Sequence, residues 1–139
     1  MINTVSEVFK KIMKAKLTYT GIRVKDLQKS IEFYTKILGM KERGRSKIEG
    51  SKGEVVDLVG EDGGHSIELN YYEEGSKFNT KYSSGEALDH IAFQVDDLDK
   101  ALSEAAKAGY PTVLDMKNKT GSRWAYIEDP NGIWIELFA

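Results

Sequence analysis

Alternating apolar and polar residues predict strands along most of this chain. In the first half the alternating segments are 17–24, 54–59 and 66–72, and in the second half they are 88–95, 112–116, 123–128 and 132–138. A helical spacing takes over in three places. One amphipathic segment covers 1–15, one runs from Asp26 to Gly39, and one runs from Asp97 to the Gly109-Tyr110-Pro111 stop. Aspartate caps helix starts, whereas glycine and proline end helices. The second and third of these segments therefore have defined limits.

The same order of elements occurs twice. Val24-Lys25-Asp26-Leu27 recurs 71 residues later as Val95-Asp96-Asp97-Leu98, and Ile67-Glu68-Leu69 recurs as Ile135-Glu136-Leu137. Each half therefore contains a strand, a helix and about three strands. We predict an N-terminal helix over 1–16 and one domain over 17–139, with module one at 17–72, a linker at 73–87 and module two at 88–139.

The composition of the chain excludes several kinds of site and partner. The 139 residues are 40% hydrophobic and 30% charged, with a net charge of −2 and no cysteine. The absence of cysteine excludes disulfides, thiolate nucleophiles and cysteine-held zinc. The charge gives no sign of nucleic-acid binding, and no apolar run is long enough to span a membrane. We expect a cytoplasmic protein without a nucleic-acid or membrane partner.

The repeat places four polar side chains at equivalent positions. Tyr19 falls on His90, and Glu68 falls on Glu136. Strand alternation turns all four away from the apolar faces that pack on the helices. If both halves curl around a common cleft, these side chains converge there.

Two other interpretations of these residues stay open at this point. Each glutamate could lie on a solvated sheet face or pair with a nearby base, and a single histidine is more often structural than a ligand. The occurrence of both glutamates at matching positions, with a histidine in the same frame, favours a site. His65 borders Gly63-Gly64 and is predicted to be a turn or strand-edge residue.

Three longer segments resemble a known family. The segment from Leu17 to Met40 resembles the opening of bacterial glyoxalase I. Asp89-His-Ile-Ala-Phe-Gln-Val-Asp-Asp97 and Glu128-Asp-Pro-Asn-Gly-Ile-Trp-Ile-Glu-Leu137 resemble its second half. The resemblance covers 17–139 and points to the vicinal-oxygen-chelate superfamily, which includes glyoxalase I and the bleomycin-resistance and dioxygenase relatives. It implies an α+β fold in which two tandem βαβββ modules form a curved mixed sheet with a cleft.

The resemblance also implies a metal site and its ligands. Glu68, His90 and Glu136 match three of the four ligands of glyoxalase I, whereas Tyr19 stands where the family has a histidine. A histidine and two carboxylates suit Ni²⁺, Co²⁺, Zn²⁺, Mn²⁺ or Fe²⁺. Tyr19 is expected to donate a hydrogen bond beside the metal or to join an aromatic wall. No other cofactor is expected.

Substrate contacts are predicted for Tyr19, Arg23 and Tyr72. Arg23 matches the family arginine that contacts glutathione, but Tyr72 replaces the asparagine that helps to hold it, which weakens the case for glutathione. The leading hypothesis is a metal-dependent lyase or isomerase, in which Glu68 or Glu136 moves a proton on a substrate chelated through vicinal oxygens. The alternatives are a metal-free binding protein for antibiotic-type small molecules and an extradiol-type dioxygenase. The resemblance also implies a homodimer.

Overall fold

Two equivalent sets of strands and helices make up the computed structural model, which describes residues 11–130 and 132–139. The first set contains β1 (Ala15–Arg23), α1 (Leu27–Glu32), β2 (Lys41–Ile48), β3 (Gly53–Val59) and β4 (Ser66–Tyr72). The second set contains β5 (Leu88–Val95), α2 (Leu98–Lys107), β6 (Leu114–Lys117), β7 (Arg123–Glu128) and β8 (Trp134–Phe138). A π-helical turn, Phe33–Ile37, extends α1, and a 3₁₀ turn, Glu49–Ser51, follows β2. The predicted α+β fold of two βαβββ modules is confirmed.

All eight of these strands form one mixed sheet, in the order β2-β3-β4-β1-β5-β8-β7-β6. β1 pairs in parallel with β4, and β5 pairs in parallel with β8, while β1 and β5 join the two modules by antiparallel pairing. The sheet curls into a half-barrel. Its two outer ends approach each other, since Lys119 Nζ beside β6 lies 2.7 Å from Glu49 Oε2 beside β2.

Both helices cover the same face of the sheet. Their starts are capped as predicted: Asp26 accepts a hydrogen bond from the Lys29 amide at 3.0 Å, and Asp97 accepts one from the Lys100 amide at 3.1 Å. The buried apolar residues fall into two clusters, one for each module. The first contains Val24, Ile31, Val56, Leu58 and Leu69, and the second contains Val95, Leu98, Ala101, Leu102, Ala125 and Leu137. The opposite face of the sheet lines the cleft.

Three details differ from the pattern or lie beyond it. Strand β2 was not predicted, because it is a charged edge strand in which seven of eight residues are exposed and apolar alternation is missing. Leu38 follows Leu27, Ile31 and Tyr34 at helical spacing, which predicts burial, but it is 57% exposed, because the π-helical turn rotates the residues that follow it. The predicted N-terminal helix falls mainly on residues 1–10, which lie outside the described residues, and β1 already begins at Ala15. Within the described ranges, no helix is both long and apolar enough to cross a membrane.

Candidate active site

Tyr19, Glu68, His90 and Glu136 meet in the cleft, as strand alternation and the repeat predicted. They come from β1, β4, β5 and β8, which are neighbours in the centre of the sheet. His90 Nε2 lies 3.5 Å from Glu68 Oε1, 3.8 Å from Glu136 Oε1 and 3.2 Å from the Tyr19 hydroxyl. The Tyr19 hydroxyl donates to Glu136 Oε2 at 2.6 Å. One chain supplies all four side chains.

Asp89 belongs to this site, although sequence alternation placed it on the other face of the strand. Gly21 pairs with His90 and Ile22 pairs with Leu88, so Asp89 is an unpaired extra residue on β5. Such a bulge lets two consecutive side chains turn to the same side of a sheet. Asp89 Oδ1 therefore reaches His90 Nδ1 at 2.7 Å. This contact leaves Nε2 of the imidazole facing the two glutamates.

Gly21 makes the room that the His90 ring occupies. A Cβ atom added to Gly21 would lie 2.4 Å from His90 Cε1 and 2.5 Å from His90 Nδ1, which are impossible contacts. The side chain of His90 is only 2% exposed. The sequence pattern did not identify Gly21 as a site residue, because its requirement arises from a neighbour 69 positions away. Gly21 is therefore a structural requirement of this imidazole position.

Asp89 also connects the site to Arg23 and Tyr72. Its Oδ2 accepts hydrogen bonds from Arg23 Nε at 3.2 Å and from the Tyr72 hydroxyl at 3.0 Å. Arg23 Nη1 also donates to Thr80 Oγ1. Burial alone would raise the pKa of Asp89, but the His90 hydrogen bond and the charges of His90 and Arg23 outweigh burial and hold it below its usual value. Asp89 is thus a buried anion that orients His90.

The two glutamates have different surroundings. Tyr19 holds Oε2 of Glu136, and the Tyr126 hydroxyl donates to its Oε1 at 3.1 Å. Tyr126 was missed from the sequence, since its role depends on the pairing of β7 with β8 opposite Glu136. Glu68 is 19% exposed, and burial raises its pKa to about 7, against a lowering effect of His90. A carboxyl group with that pKa changes protonation readily near neutral pH.

The other titratable groups are perturbed in a consistent direction. Burial, followed by the charges of Glu136 and Glu68, raises the pKa of Tyr19 far above its usual range, so its phenol stays neutral. Burial opposes protonation of His90, but the Asp89 hydrogen bond and the charges of Glu136, Asp89 and Glu68 raise the His90 pKa above its usual value. In the metal-free site Tyr19 is therefore a neutral hydrogen-bond donor.

The donor set suits a divalent metal, but two of its members are hydrogen-bonded to the Tyr19 hydroxyl. Bonds of about 2.0–2.2 Å to one ion place neighbouring ligand atoms roughly 3–4 Å apart, which is the separation of His90 Nε2 from the glutamate oxygens. As the side chains stand, the described ranges contain no group of three His, Cys, Asp or Glu residues arranged to hold a metal. The Tyr19 hydroxyl lies between His90 Nε2 and Glu136 Oε2 and contacts both. Glu68, His90 and Glu136 fit the ion chemically once this hydroxyl moves aside.

An aromatic wall extends from the site through a cleft of about 420 Å³. Neighbouring rings are in contact along it: the centroids of Tyr126 and Trp134 are 5.2 Å apart, those of Trp134 and Phe78 5.8 Å, and those of Phe78 and Tyr72 5.6 Å. The expected substrate-contact residues Tyr19 and Tyr72 line this cleft. Arg23 does not line it, and instead borders a neighbouring pocket of about 460 Å³ that shares Tyr72.

Comparison with known proteins points to one family. Residues 16–137 match the model described as the glyoxalase/bleomycin resistance protein/dioxygenase superfamily. The lactoylglutathione lyase of Escherichia coli O157:H7 is 36% identical over 127 residues, which cover 88% of this chain and 90% of that protein. The uncharacterized protein YwbC of Bacillus subtilis is 33% identical over 130 residues, covering 91% and 98%. The crystal structure of methylmalonyl-CoA epimerase from Mycobacterium tuberculosis superposes with a TM-score of 0.74 at 28% identity, covering 88% of this chain and 85% of that one.

Proposed function

The chain belongs to the glyoxalase/bleomycin resistance protein/dioxygenase superfamily, and on that premise we propose that it is a metal-dependent lyase or isomerase. Its reaction moves a proton on a carbon atom next to a carbonyl group, in a substrate with two neighbouring oxygens. The observation that carries the proposal is the convergence of Glu68 and Glu136 on His90 Nε2, while Asp89 holds the other imidazole nitrogen.

Glu68, His90 and Glu136 would hold the metal. An imidazole whose second nitrogen is bound to a carboxylate is the usual arrangement of a metal-ligating histidine, and Asp89 supplies that carboxylate. A divalent metal bound there would act as a Lewis acid and polarise the two neighbouring oxygens of the substrate. Tyr19, kept as a neutral phenol, remains a donor to Glu136 or to a substrate oxygen.

Glu68 or Glu136 would move the proton. The carboxylate takes H⁺ from the carbon, and the C–H electron pair moves toward the carbonyl oxygen. The carboxyl group exchanges its proton with solvent and then returns a proton to the same or the adjacent carbon. The hydrogen-bond pattern favours Glu68, because Tyr19 and Tyr126 already hold both oxygens of Glu136. In this arrangement Glu136 stays a fixed ligand, while Glu68 carries the proton.

The relatives support proton transfer more than the alternatives. Proteins named lactoylglutathione lyase are among the relatives, and methylmalonyl-CoA epimerases are among the similar structures. A lyase of this type and an epimerase can share removal of a proton beside a carbonyl group. A metal-free antibiotic-binding protein and an extradiol-type dioxygenase are not favoured by these names. The predicted contacts of Arg23 and Tyr72 with substrate remain part of the proposal, with Arg23 contacting it from the neighbouring pocket that shares Tyr72.

Deuterium exchange tests the proposal. The protein, supplied with Ni²⁺ or Zn²⁺ in D₂O, is incubated separately with a glutathione hemithioacetal, methylmalonyl-CoA and an aromatic α-hydroxy ketone. We expect wild type to introduce deuterium at carbon into at least one of them, detected by mass spectrometry. Glu68→Gln is expected to reduce the rate at least about 100-fold, since it removes the proton carrier. The exposed Glu61→Gln is the matched control. No exchange into any of the three by metal-loaded wild type would contradict the proposal.

The homodimer implied by the resemblance remains a prediction. Within a single chain, Tyr19, Glu68, His90 and Glu136 already meet.

A further inference from the structure

The cleft wall points to the part of the substrate that lies beyond the reacting oxygens. Phe78 and Tyr126 are each only 8% exposed, and Trp134 contacts both rings. These rings lie side by side, and they lead from Tyr72 to Tyr126, whose hydroxyl is hydrogen-bonded to Glu136. A ligand that fills this cleft up to the glutamates therefore lies against these rings.

The charges in the cleft disfavour a ligand that carries a phosphate or carboxylate group. Among the described lining residues, the charged side chains are Glu68, Glu136 and Arg123. All three guanidinium nitrogens of Arg123 are already engaged, with Asp115 at 3.0 and 2.9 Å and with Asp99 at 2.7 Å. No uncommitted cation in the described part of the cleft is available to balance a phosphate or carboxylate. Glu68 and Glu136 would already balance the charge of a bound divalent metal, so a phosphate or carboxylate elsewhere on the ligand would be buried without a partner, which is costly.

The polar groups of the cleft are placed to orient a neutral molecule. The metal-ligand candidates lie at one end, and Ser46, Asn70, Asn118 and Ser122 add uncharged polar groups to the lining. A mostly apolar pocket with a few placed polar groups is typical of small-molecule sites, and about 420 Å³ lies within their usual range.

We propose that the substrate carries an aromatic ring next to its vicinal oxygens, in the class of aryl α-hydroxy ketones and aryl 1,2-dicarbonyl compounds. The ring lies against Phe78 and Trp134, and the two oxygens face Glu68, His90 and Glu136. This inference rests on the proposed function for the role of the oxygens, but it concerns binding and is testable without turnover.

A ligand comparison tests the ring directly. The probes are 2-hydroxyacetophenone and hydroxyacetone, which present the same two oxygens with and without a phenyl ring. The chain contains two tryptophans, Trp124 and Trp134, and both line the cleft. Their indole N–H signals in ¹H–¹⁵N NMR spectra therefore report on the cleft, and each probe is titrated with and without Zn²⁺.

We expect 2-hydroxyacetophenone to bind at least about tenfold more tightly than hydroxyacetone and to shift both indole signals, because it buries a phenyl ring. Phe78→Leu is expected to reduce the affinity for the aryl probe about fivefold, with little effect on hydroxyacetone. Phe33→Leu is the matched control, since Phe33 is 49% exposed on the helix side of the sheet.

Equal binding of the two probes, or an aryl probe that leaves both indole signals unmoved, would overturn the inference. So would a Phe78→Leu variant that is folded, judged by its amide spectrum, and retains full affinity for the aryl probe. These outcomes are separate from failure of the proposed function. A protein that selects the aryl probe but neither binds metal nor exchanges protons retains the ring preference and loses only the proposed reaction.

Discussion

The hydroxyl of Tyr19 donates a 2.6 Å hydrogen bond to Glu136, which lies 117 residues away in the chain and two strands away in the sheet. This bond places a neutral phenol where the family resemblance implies an imidazole ligand. It also makes the two glutamates different, because tyrosine hydroxyl groups hold Glu136 and, among the described residues, none holds Glu68. The proposed reaction requires that this phenol allow a metal to bind beside it.

Replacing Tyr19 by histidine should strengthen metal binding. Tyr19→His removes the bridging hydroxyl and adds a neutral nitrogen ligand, so we expect Zn²⁺ or Ni²⁺ affinity to rise at least about tenfold. Isothermal titration calorimetry measures the change. Tyr19→Phe is the matched control, since it removes the hydroxyl and adds no ligand. Equal affinities for the two variants would show that position 19 does not face the metal.

A methyl group at position 21 should displace the imidazole. Gly21→Ala places Cβ in the volume of the His90 ring, so we expect a loss of about 1–3 kcal/mol in unfolding free energy and weaker metal binding. Gly44→Ala is the control, because no atom lies within 4 Å of a Cβ added there. Urea denaturation and calorimetry provide the two measurements. A Gly21→Ala protein that is as stable as Gly44→Ala would contradict the close packing described here.

Removing the charge of Asp89 should weaken the site through His90. Asp89→Asn takes away the carboxylate that holds Nδ1, and we expect a 10- to 100-fold loss of metal affinity. ¹⁵N NMR of the imidazole should also show a changed tautomer balance, which a merely structural loss does not produce. Asp96→Asn serves as the comparison, since Asp96 is exposed just beyond the end of β5. If the tautomer balance of His90 is unchanged in Asp89→Asn, Asp89 does not orient the imidazole.

Protonation of Glu68 should couple to stability in the metal-free protein. Its pKa is raised from 4.5 to about 7 in the folded state, so the folded protein binds this proton more tightly than the unfolded chain. Unfolding free energy should therefore fall as pH rises from 4.5 to 8, by about 3 kcal/mol for this group. Glu68→Gln should lose that part of the pH dependence, whereas the exposed Glu61→Gln should keep it. Urea denaturation at pH 4.5 and pH 8 makes the comparison, and parallel profiles for wild type and Glu68→Gln would contradict the shift.

Much of the site could be predicted from the sequence, because period-two alternation and the internal repeat can both be read from the order of the residues. They placed Tyr19, Glu68, His90 and Glu136 on one face of the sheet, and the structure brings these four together. Residues whose roles depend on pairing between distant strands were not accessible in this way.

Asp89 shows this limit most clearly. Alternation turns a residue adjacent to His90 to the opposite face, and only the bulge opposite Gly21 and Ile22 reverses that orientation. Thr18 is the unpaired residue at the equivalent bulge in β1, immediately before Tyr19. The repeat therefore extends to the bulges, but the sequence carries no local sign of them.

Metal stoichiometry tests the central claim most directly. Wild type and His90→Ala are freed of metal, titrated with Co²⁺ or Zn²⁺ by calorimetry, and then analysed for bound metal after desalting. Wild type should bind about one ion per chain, and His90→Ala should bind at least about 100-fold more weakly, because it loses the nitrogen ligand between Glu68 and Glu136. A wild-type protein that binds no divalent metal, or that binds it no better than His90→Ala, would contradict the account.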